Sequence, residues 1–420
     1  MLFIYRGIIN FLYAIVPLLI VARVILNKED KERYKEKLYS SAFKISRDLK
    51  KKLIWIHVAS IGEYKSIIPV IDKLNRDYQF LITSVTLSSA NIISKDVSEK
   101  KNIIHRFFPI DKKSLVEKFL NGWKPNMAIF VDSEIWPNFL LELKKKKIPL
   151  VLLNARITNK TFNRWMMVPT FAKEIFSTFD LCLTSNQETV EHLKKLNARN
   201  IKFFGNLKFA GAIDIDEIQN ENKEIFNKKK VWCAASTHKG EEEFCLKAHS
   251  ILKKKYKDLI TIIIPRHIDR SNDINTLCKN KQLSSQIISG NELIRKENEI
   301  IIINDFNVLT KYFKYSKSVF IGKSILKKLE KVGGQNPIEA AKLGCKIYHG
   351  PYVYNFNEIY SLLKDYNIAE VIKNEEELAK KLSLSFDSLE KKNNLTFQTI
   401  NEIGDKILAQ NIEQIKKLDD

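Results

Sequence analysis

Lys331-Val332-Gly333-Gly334-Gln335-Asn336-Pro337-Ile338-Glu339-Ala340-Ala341 stands between two apolar runs, Ser318-Val319-Phe320-Ile321-Gly322 before it and Cys345-Lys346-Ile347-Tyr348 after it. It reads as the turn and helix start of a strand–helix–strand unit. Two glycines let the backbone approach a ligand with no Cβ in the way. Pro337 suits the first turn of a helix, where its missing N–H costs nothing. That helix start offers free N–H groups and a positive dipole end, which suit a phosphate. Glu339, one turn in, is placed to accept hydrogen bonds from two ribose hydroxyls. A plain glycine turn and capped helix account for Gly333 and Gly334 equally well; Asn336 and Glu339 tip the stretch toward a nucleotide site.

The same rhythm extends through the chain. Apolar runs at Leu53–Val58, Phe80–Val85, Ile103–Pro109, Met127–Val131 and Pro149–Leu153 read as strands, with helical spacing between them, as in Ile67, Ile68, Val70, Ile71 and Leu74. Leu181–Thr184 and Ile201–Phe204 extend the series. Ala210–Lys230, rich in Asp, Glu, Asn and Lys, reads as a linker, after which the pattern restarts at Val231–Ala235, Ile260–Pro265, Glu299–Ile303, Val319–Gly322 and Lys346–His349. Strand–helix alternation predicts an α/β protein with parallel sheets covered on both faces. Two doubly wound halves place a ligand in a cleft at the carboxyl ends of the strands. The lysine-rich tail after Glu375 reads as helix packed on the surface.

The chain has 420 residues, enough for two or three domains, with 45% apolar and 28% charged residues. Seventy Lys and Arg against 49 Asp and Glu leave a net charge of +21, which favours anionic partners, although runs such as Lys144–Lys147 are ordinary solvated faces. The cysteines number five, widely spaced and without a CxxC pair, so neither a zinc site nor a disulfide framework is indicated. Leu2–Leu26 is apolar except for Arg6, Asn10 and Arg23. Its uninterrupted centre, Phe11–Ala22, is short for a hydrocarbon core of about 30 Å, and snorkelling arginines extend its reach. A spanning helix and an in-plane anchor both remain open. A signal peptide has the same charge and apolar pattern, but no small-x-small cleavage site follows. The basic flank Lys28, Lys31, Arg33, Lys35 and Lys37 keeps the following body on the cytoplasmic side and attracts acidic headgroups. The stretch is expected to be a membrane anchor.

Polar residues gather at strand ends. Ala59-Ser60-Ile61-Gly62-Glu63 follows the first strand, and Glu63 opens a helix whose dipole is expected to hold it ionised, as a base at neutral pH requires. Asp132-Ser133-Glu134-Ile135-Trp136-Pro137-Asn138 looks like one wall of a cleft, with Glu134 able to bond sugar hydroxyls. Asn154-Ala155-Arg156 presents a planar fork for a carboxylate or phosphate. Ser236-Thr237-His238-Lys239-Gly240-Glu241 is a strand-to-helix turn able to cradle phosphate through N–H groups, without being a Walker-type loop. Pro265-Arg266-His267 ends another strand. A helix-start acid or a surface ion pair explains any one of these; their shared position at strand ends is the stronger signal.

Together these motifs resemble the 3-deoxy-D-manno-octulosonic acid (Kdo) transferase family of Gram-negative lipid A biosynthesis. The stretches that carry the likeness are Trp55–Glu63, Ser133–Asn138, Leu153–Arg156, Gly205–Phe209, Ala235–Glu243, Pro265–His267 and Gly334–Glu339, in the family's order. The resemblance implies a GT-B fold of two Rossmann-like domains facing a cleft: residues 1–27 as anchor helix, 28–212 as acceptor domain and 213–420 as CMP-Kdo-binding domain. It implies inverting transfer from CMP-Kdo to a lipid A precursor of the lipid IVA type, at the cytoplasmic face of the inner membrane, with no required metal and no cofactor beyond the donor. Glu63 matches the catalytic base. Pro265, Arg266, Asn336, Pro337, Ile338 and Glu339 match nucleotide-binding positions, and Phe306, Asn307 and Val308 stand where the family has Met-Gly-Glu. Glu134, Arg156, Ser236, Thr237 and Gly334 are candidate substrate contacts. The family's Gly-Gly-Ser is Gly322-Lys323-Ser324 here, and Gln335 replaces a histidine. The competing readings are a GT-B enzyme using another nucleotide sugar and a non-catalytic basic lipid-binding module. No recognition helix, zinc finger or aromatic RNA-binding signature supports a nucleic-acid partner.

Overall fold

The structure, a computed structural model, describes residues 1–75, 78–98, 100–211, 213–388 and 394–419. The chain forms two compact units. Unit 1 runs from Met1 to Gly211 and takes up Gly404 onward; unit 2 extends to Ile403. The expected domain junction at 212/213 falls on Ala212, outside the described residues.

Unit 1 holds a seven-stranded sheet of β1 (Lys52–Val58), β2 (Tyr78–Ser84), β3 (Ile103–Phe107), β4 (Met127–Val131), β5 (Leu150–Ala155), β6 (Leu181–Thr184) and β7 (Ile201–Phe203), in the order β3-β2-β1-β4-β5-β6-β7. Every pairing is parallel. The continuous apolar runs follow from helices covering both faces; Trp55, Phe119, Phe130 and Phe139 are fully packed in the core. The chain winds outward from β1 through β2 to β3, then crosses to β4 on the other side of β1 and winds the opposite way, so the switch point lies at the carboxyl ends of β1 and β4. The helices used below are α1 (Leu2–Ile25), α2 (Ile61–Leu74), which follows β1, and α3 (Pro137–Lys145), which follows β4.

Unit 2 repeats the plan with β8 (Lys230–Thr237), β9 (Leu259–Pro265), β10 (Ser285–Ile288), β11 (Ile300–Ile303), β12 (Ser318–Ile321), β13 (Lys346–His349) and β14 (Ala369–Val371), ordered β10-β11-β9-β8-β12-β13-β14 and parallel throughout. Its switch point lies at β8. Helices α4 (Lys223–Lys228), α5 (Glu241–Lys253), α6 (Ile338–Lys342), α7 (Glu375–Asp387) and α8 (Asn394–Asp419) complete the elements needed here.

Several expectations are corrected. Strands β10 and β14 were not anticipated; both are sheet edges, and short half-exposed segments such as Ser285-Gln286-Ile287-Ile288 lack a continuous apolar run. The linker read across 210–230 contains α4, whose Phe226 is buried against Tyr312 and Tyr315 at centroid distances of 6.3 and 5.6 Å. The tail is not merely laid on the surface. Ile400, Ile407, Leu408 and Ile415 form a buried stripe on α8, and Asp419 receives Tyr78 Oη–H at 2.7 Å and Lys52 Nζ at 2.8 Å. Residues from Gly404 onward thus pack with unit 1, where a continuous 213–420 domain had been expected. In the basic flank, Lys28, Lys31 and Lys35 are exposed, but Lys37 is buried against Glu29 (2.6 Å) and the Val85 carbonyl (2.8 Å), and Arg33 is bonded to Glu36 (3.0 Å).

Candidate functional site

Glu63, Glu134 and Arg156 come from the carboxyl ends of β1, β4 and β5 in unit 1. Ser60 caps α2 by accepting the Glu63 N–H at 3.2 Å. The Glu63 carboxylate reaches back in return, with Oε2 accepting the Ala59 N–H at 2.7 Å and Oε1 accepting Ser60 Oγ–H at 2.8 Å. This reciprocal cap orients the acid at the switch point. Gly62 beside it is exposed, with nothing nearer an added Cβ than Ser60 Oγ at 3.9 Å. Burial raises the Glu63 carboxyl from 4.5 to about 7 against its two hydrogen bonds, with nearby Asp132 and Glu134 adding to the rise. The expectation that its helix-start position holds Glu63 firmly ionised is therefore corrected: desolvation outweighs the hydrogen bonds from Ala59 and Ser60, and the pKa is raised to about 7.

Glu134 takes the opposite course. His57 is fully buried on β1, with Nδ1 at 3.0 Å from Thr83 Oγ1 and Nε2 at 3.2 Å from Glu134 Oε2. Trp136 Nε1–H donates to the same oxygen at 2.9 Å, and Trp55 Nε1–H donates to Thr83 Oγ1 at 2.9 Å. Burial lowers the pKa of His57, with the Glu134 carboxylate and the Thr83 backbone opposing it. Nε2 faces an accepting Glu134 oxygen, while Nδ1 faces both the Thr83 hydroxyl at 3.0 Å and the Thr83 carbonyl at 3.2 Å. Burial pushes Glu134 up, but the bonds from His57 and Trp136 prevail and its pKa is lowered. Two neighbouring acids with pKa values driven apart form the acid–base pattern of a catalytic site. Asp132 is raised by burial, with Lys208 and Arg156 opposing and Glu134 assisting. His57, Asp132 and Lys208 thus join the cluster without having been singled out from the sequence; they lie within the quoted runs, but their roles depend on contacts between strands.

In unit 2 the remaining candidates lie along the carboxyl edges of β9, β8, β11 and β12. Ser236 sits at a register shift between β8 and β9, with φ +56°, and Thr237 Oγ1 is buried without a hydrogen-bond partner among the described residues. Pro265 ends β9 buried; exposed Arg266 follows, its N–H donated to the Thr237 carbonyl at 3.0 Å. Phe306 is 61% exposed beyond β11, Asn307 has φ +61°, and Val308 precedes the next helical turn. The rings of His238 and His267 meet edge-on at 5.8 Å, and the Lys323 charge helps depress His238, although burial is the larger cause.

The glycine stretch behaves differently from the expectation. A Cβ on Gly333 meets the Tyr352 carbonyl at 2.1 Å, and one on Gly334, at φ +93°, meets the Val353 carbonyl at 3.0 Å. The protein's own backbone fills the place where each Cβ would stand. Asn336 Oδ1 accepts the Ile338 N–H at 3.1 Å, Pro337 and Ile338 are buried, and Glu339 lies half-buried in the first turn of α6. Helix α6 has only five residues, so its dipole is weaker than expected. The turn after β8 also spends N–H groups internally: His238 N–H goes to Glu241 Oε2 at 3.0 Å and Glu241 N–H to the His238 carbonyl at 2.8 Å.

Left-handed backbone at non-glycine residues recurs at these ends: Asp132 (φ +62°), Asn154 (+52°), Ser236 (+56°), Asn307 (+61°) and Lys323 (+57°). Such strain concentrates at functional sites. Lys323 offers a direct check. Lys323→Gly relieves about 1 kcal/mol and is expected to raise the melting temperature by about 2–4 °C, read by calorimetry; an unchanged or lower value contradicts the strain.

A family model described as "3-Deoxy-D-manno-octulosonic-acid transferase (kdotransferase)" matches residues 31–211. A 3-deoxy-D-manno-octulosonic acid transferase of Rickettsia felis is 33% identical, the match covering 79% of this chain and 71% of the relative. A transferase of the same description from Rickettsia bellii is 32% identical over 88% of this chain and 87% of its own. Among solved structures, a glycosyltransferase from Rickettsia africae superposes with a TM-score of 0.58 at 14% identity, covering 88% of this chain and 98% of that one. That likeness is one of fold, and it is to the GT-B class.

Proposed function

The chain belongs to the 3-deoxy-D-manno-octulosonic acid transferase family, and from that membership we propose that it moves Kdo, with inversion, from CMP-Kdo to a lipid A precursor of the lipid IVA type at the cytoplasmic face of the inner membrane. The observation that carries the proposal is Glu63, a carboxyl held by its cap at the β1/β4 switch point and raised to about 7. A sugar hydroxyl of the acceptor attacks the anomeric carbon of Kdo; the bond to the CMP phosphate breaks, the phosphate keeps the electron pair, and Glu63 takes the hydroxyl proton. Ionised Glu134, fixed by His57 and Trp136, accepts hydrogen bonds from acceptor hydroxyls, and Arg156 pairs with an acidic group of the substrate.

Unit 2 supplies the donor side. Arg266 and Lys323 attract the phosphate, Phe306 supplies an exposed ring for the base, and Asn336–Glu339 hold the nucleotide, with Glu339 on the ribose. Glu339→Ala is expected to weaken CMP binding about ten- to a hundred-fold, from the loss of hydrogen bonds to a charged acceptor; calorimetric titration giving the parent affinity would reject the ribose contact. The apolar α1, the exposed Lys28, Lys31 and Lys35, and the net charge of +21 support seating on anionic lipid. The deciding experiment incubates the full chain with CMP-Kdo and a tetra-acylated disaccharide bisphosphate lipid, with mass spectrometry of the products. Addition of Kdo is expected. Transfer from UDP-sugars alone would replace the donor, and absence of any transfer would leave only a lipid-binding role.

A further inference from the structure

Helix α1 is docked along its length, not tethered at one end. Leu2, Tyr5, Ile9, Tyr13, Val16 and Val24 are half-buried and Ile20 is buried, at steps of three and four residues. The opposite face is apolar and bare, with Phe3 88%, Phe11 69% and Leu18 72% exposed. Both ends are bonded to unit 1. Tyr5 Oη–H donates to Asp111 Oδ2 at 2.7 Å and Arg6 Nε–H to Asn138 Oδ1 at 2.9 Å; at the middle and far end, Tyr13 Oη–H donates to the Leu38 carbonyl at 2.5 Å and Arg23 Nε–H to Glu29 at 3.0 Å. Tyr5 and Arg23 are about 27 Å apart along the axis at 1.5 Å per residue, close to the thickness of a hydrocarbon core of about 30 Å. Were α1 to cross the bilayer, the bonds at Tyr5 and Arg6 would drag Asp111, Asn138 and the charged body around them through the lipid.

Asp111 does more than hold Tyr5. Its carboxylate accepts the Asn138 N–H on Oδ2 and the Phe139 N–H on Oδ1, both at 3.0 Å, and its carbonyl accepts Asn138 Nδ2–H at 2.6 Å. It thereby caps α3, whose own N-cap residue Trp136 provides no side-chain bond. Trp136 in turn holds Glu134 at 2.9 Å. We propose that α1 lies in the plane of an anionic lipid surface, its N-terminus on the same side as the catalytic units, and that Asp111 clamps it to the first turn of α3, making the lipid-lying helix one piece with the Trp136–Glu134 wall. The occupant of the bare face is a bilayer because that face is apolar from Phe3 to Ile25 apart from Asn10, while exposed Arg23, Lys28, Lys31 and Lys35 border its far end. The inference rests on the membrane reading above.

Two measurements test it. A protease-cleavable tag is placed before Met1 in the otherwise intact chain, in a Gram-negative host. Cleavage in inverted inner-membrane vesicles with protection in intact spheroplasts is the expected result. Cleavage in spheroplasts overturns the in-plane helix yet leaves membrane binding standing; recovery of the chain in the soluble fraction overturns membrane binding itself. The second measurement uses Tyr5→Phe with Arg6→Gln, which removes the two ties at the N-terminal end of α1, those to Asp111 and Asn138, while leaving the α3 cap intact. With the lipid acceptor in phosphatidylethanolamine–phosphatidylglycerol vesicles, its KM is expected to rise about ten-fold with the KM for CMP-Kdo unchanged. An unchanged acceptor KM, or equal changes for both substrates, overturns the clamp.

Discussion

Glu63→Gln is expected to lower turnover by about 10²–10⁴-fold, the range for loss of a general base, with the affinity for CMP-Kdo retained. The amide keeps the size of the side chain and can still accept the Ala59 N–H, so the cap on α2 survives while the proton acceptor is lost. The pH dependence carries more information than the size of the loss. With Glu63 at about 7, kcat/KM of the parent protein climbs with pH and reaches half its plateau near pH 7, not near the usual carboxylate value of 4.5. Asp132 and Glu134 face the same carboxyl, and their negative charge is part of why the proton is held so long. Stability moves the other way. A carboxyl whose pKa is higher in the folded state favours the fold while protonated; that contribution is present below pH 4.5 and is lost as pH rises through about 7. Glu63→Gln, always neutral, should therefore melt above the parent at pH 8 and close to it at pH 4.5. Near-parent turnover, or an acid limb at ordinary carboxylate pH, removes Glu63 from the role.

The plan of both sheets was legible because a parallel strand covered on two faces is a nearly continuous apolar run, as in Met127–Val131 or Ile300–Ile303. Strand ends were legible for a related reason: polarity returns abruptly where the chain emerges, which drew attention to Glu63, Glu134, Arg156 and Arg266. Of the four sheet edges, β3 and β7 were read from short apolar runs, while β10 and β14, strands of four and three residues carrying Ser285-Gln286 and Glu370, were not. Nor were residues whose work is done across the sheet. Asp111 reads as a loop acid after β3, and nothing near it in sequence says that it caps a helix beginning at Pro137. His57 reads as one polar residue in a buried strand, and its partners Thr83 and Glu134 lie on strands to either side. The Gly333–Gly334 pair showed that a close approach is made, but not that the segment at Tyr352–Val353 makes it on the Cβ side. A glycine reports that something comes near; it does not report what.

Glu241→Ala is expected to destabilise unit 2 by about 3–5 kcal/mol, on about 1–3 kcal/mol for each stranded donor with less than full additivity. Glu241 is fully buried at the start of α5, where sequence reading saw only an acid in a phosphate-cradling turn. Its two oxygens accept four N–H groups: His238 (3.0 Å) and Lys323 (2.6 Å) on Oε2, Ser324 (2.8 Å) and Ile325 (3.2 Å) on Oε1. One carboxylate thus shapes the loops after β8 and β12. Ser324 Oγ passes the constraint to the loop after β13 by accepting the Gly350 N–H at 2.9 Å. Burial alone raises the Glu241 carboxyl, with the N–H groups pulling it back. Glu241→Gln makes the sharper test. Its amide nitrogen would point two further donors at N–H groups that already need an acceptor, so the glutamine variant should melt nearly as low as alanine, about 6–12 °C below the parent for a loss of about 3 kcal/mol. Because Lys323 and Thr237 lie on the loops released, CMP affinity measured well below the transition should fall with the melting temperature in both variants. A glutamine variant with the parent's melting temperature and CMP affinity would show that these loops hold their shape without the carboxylate.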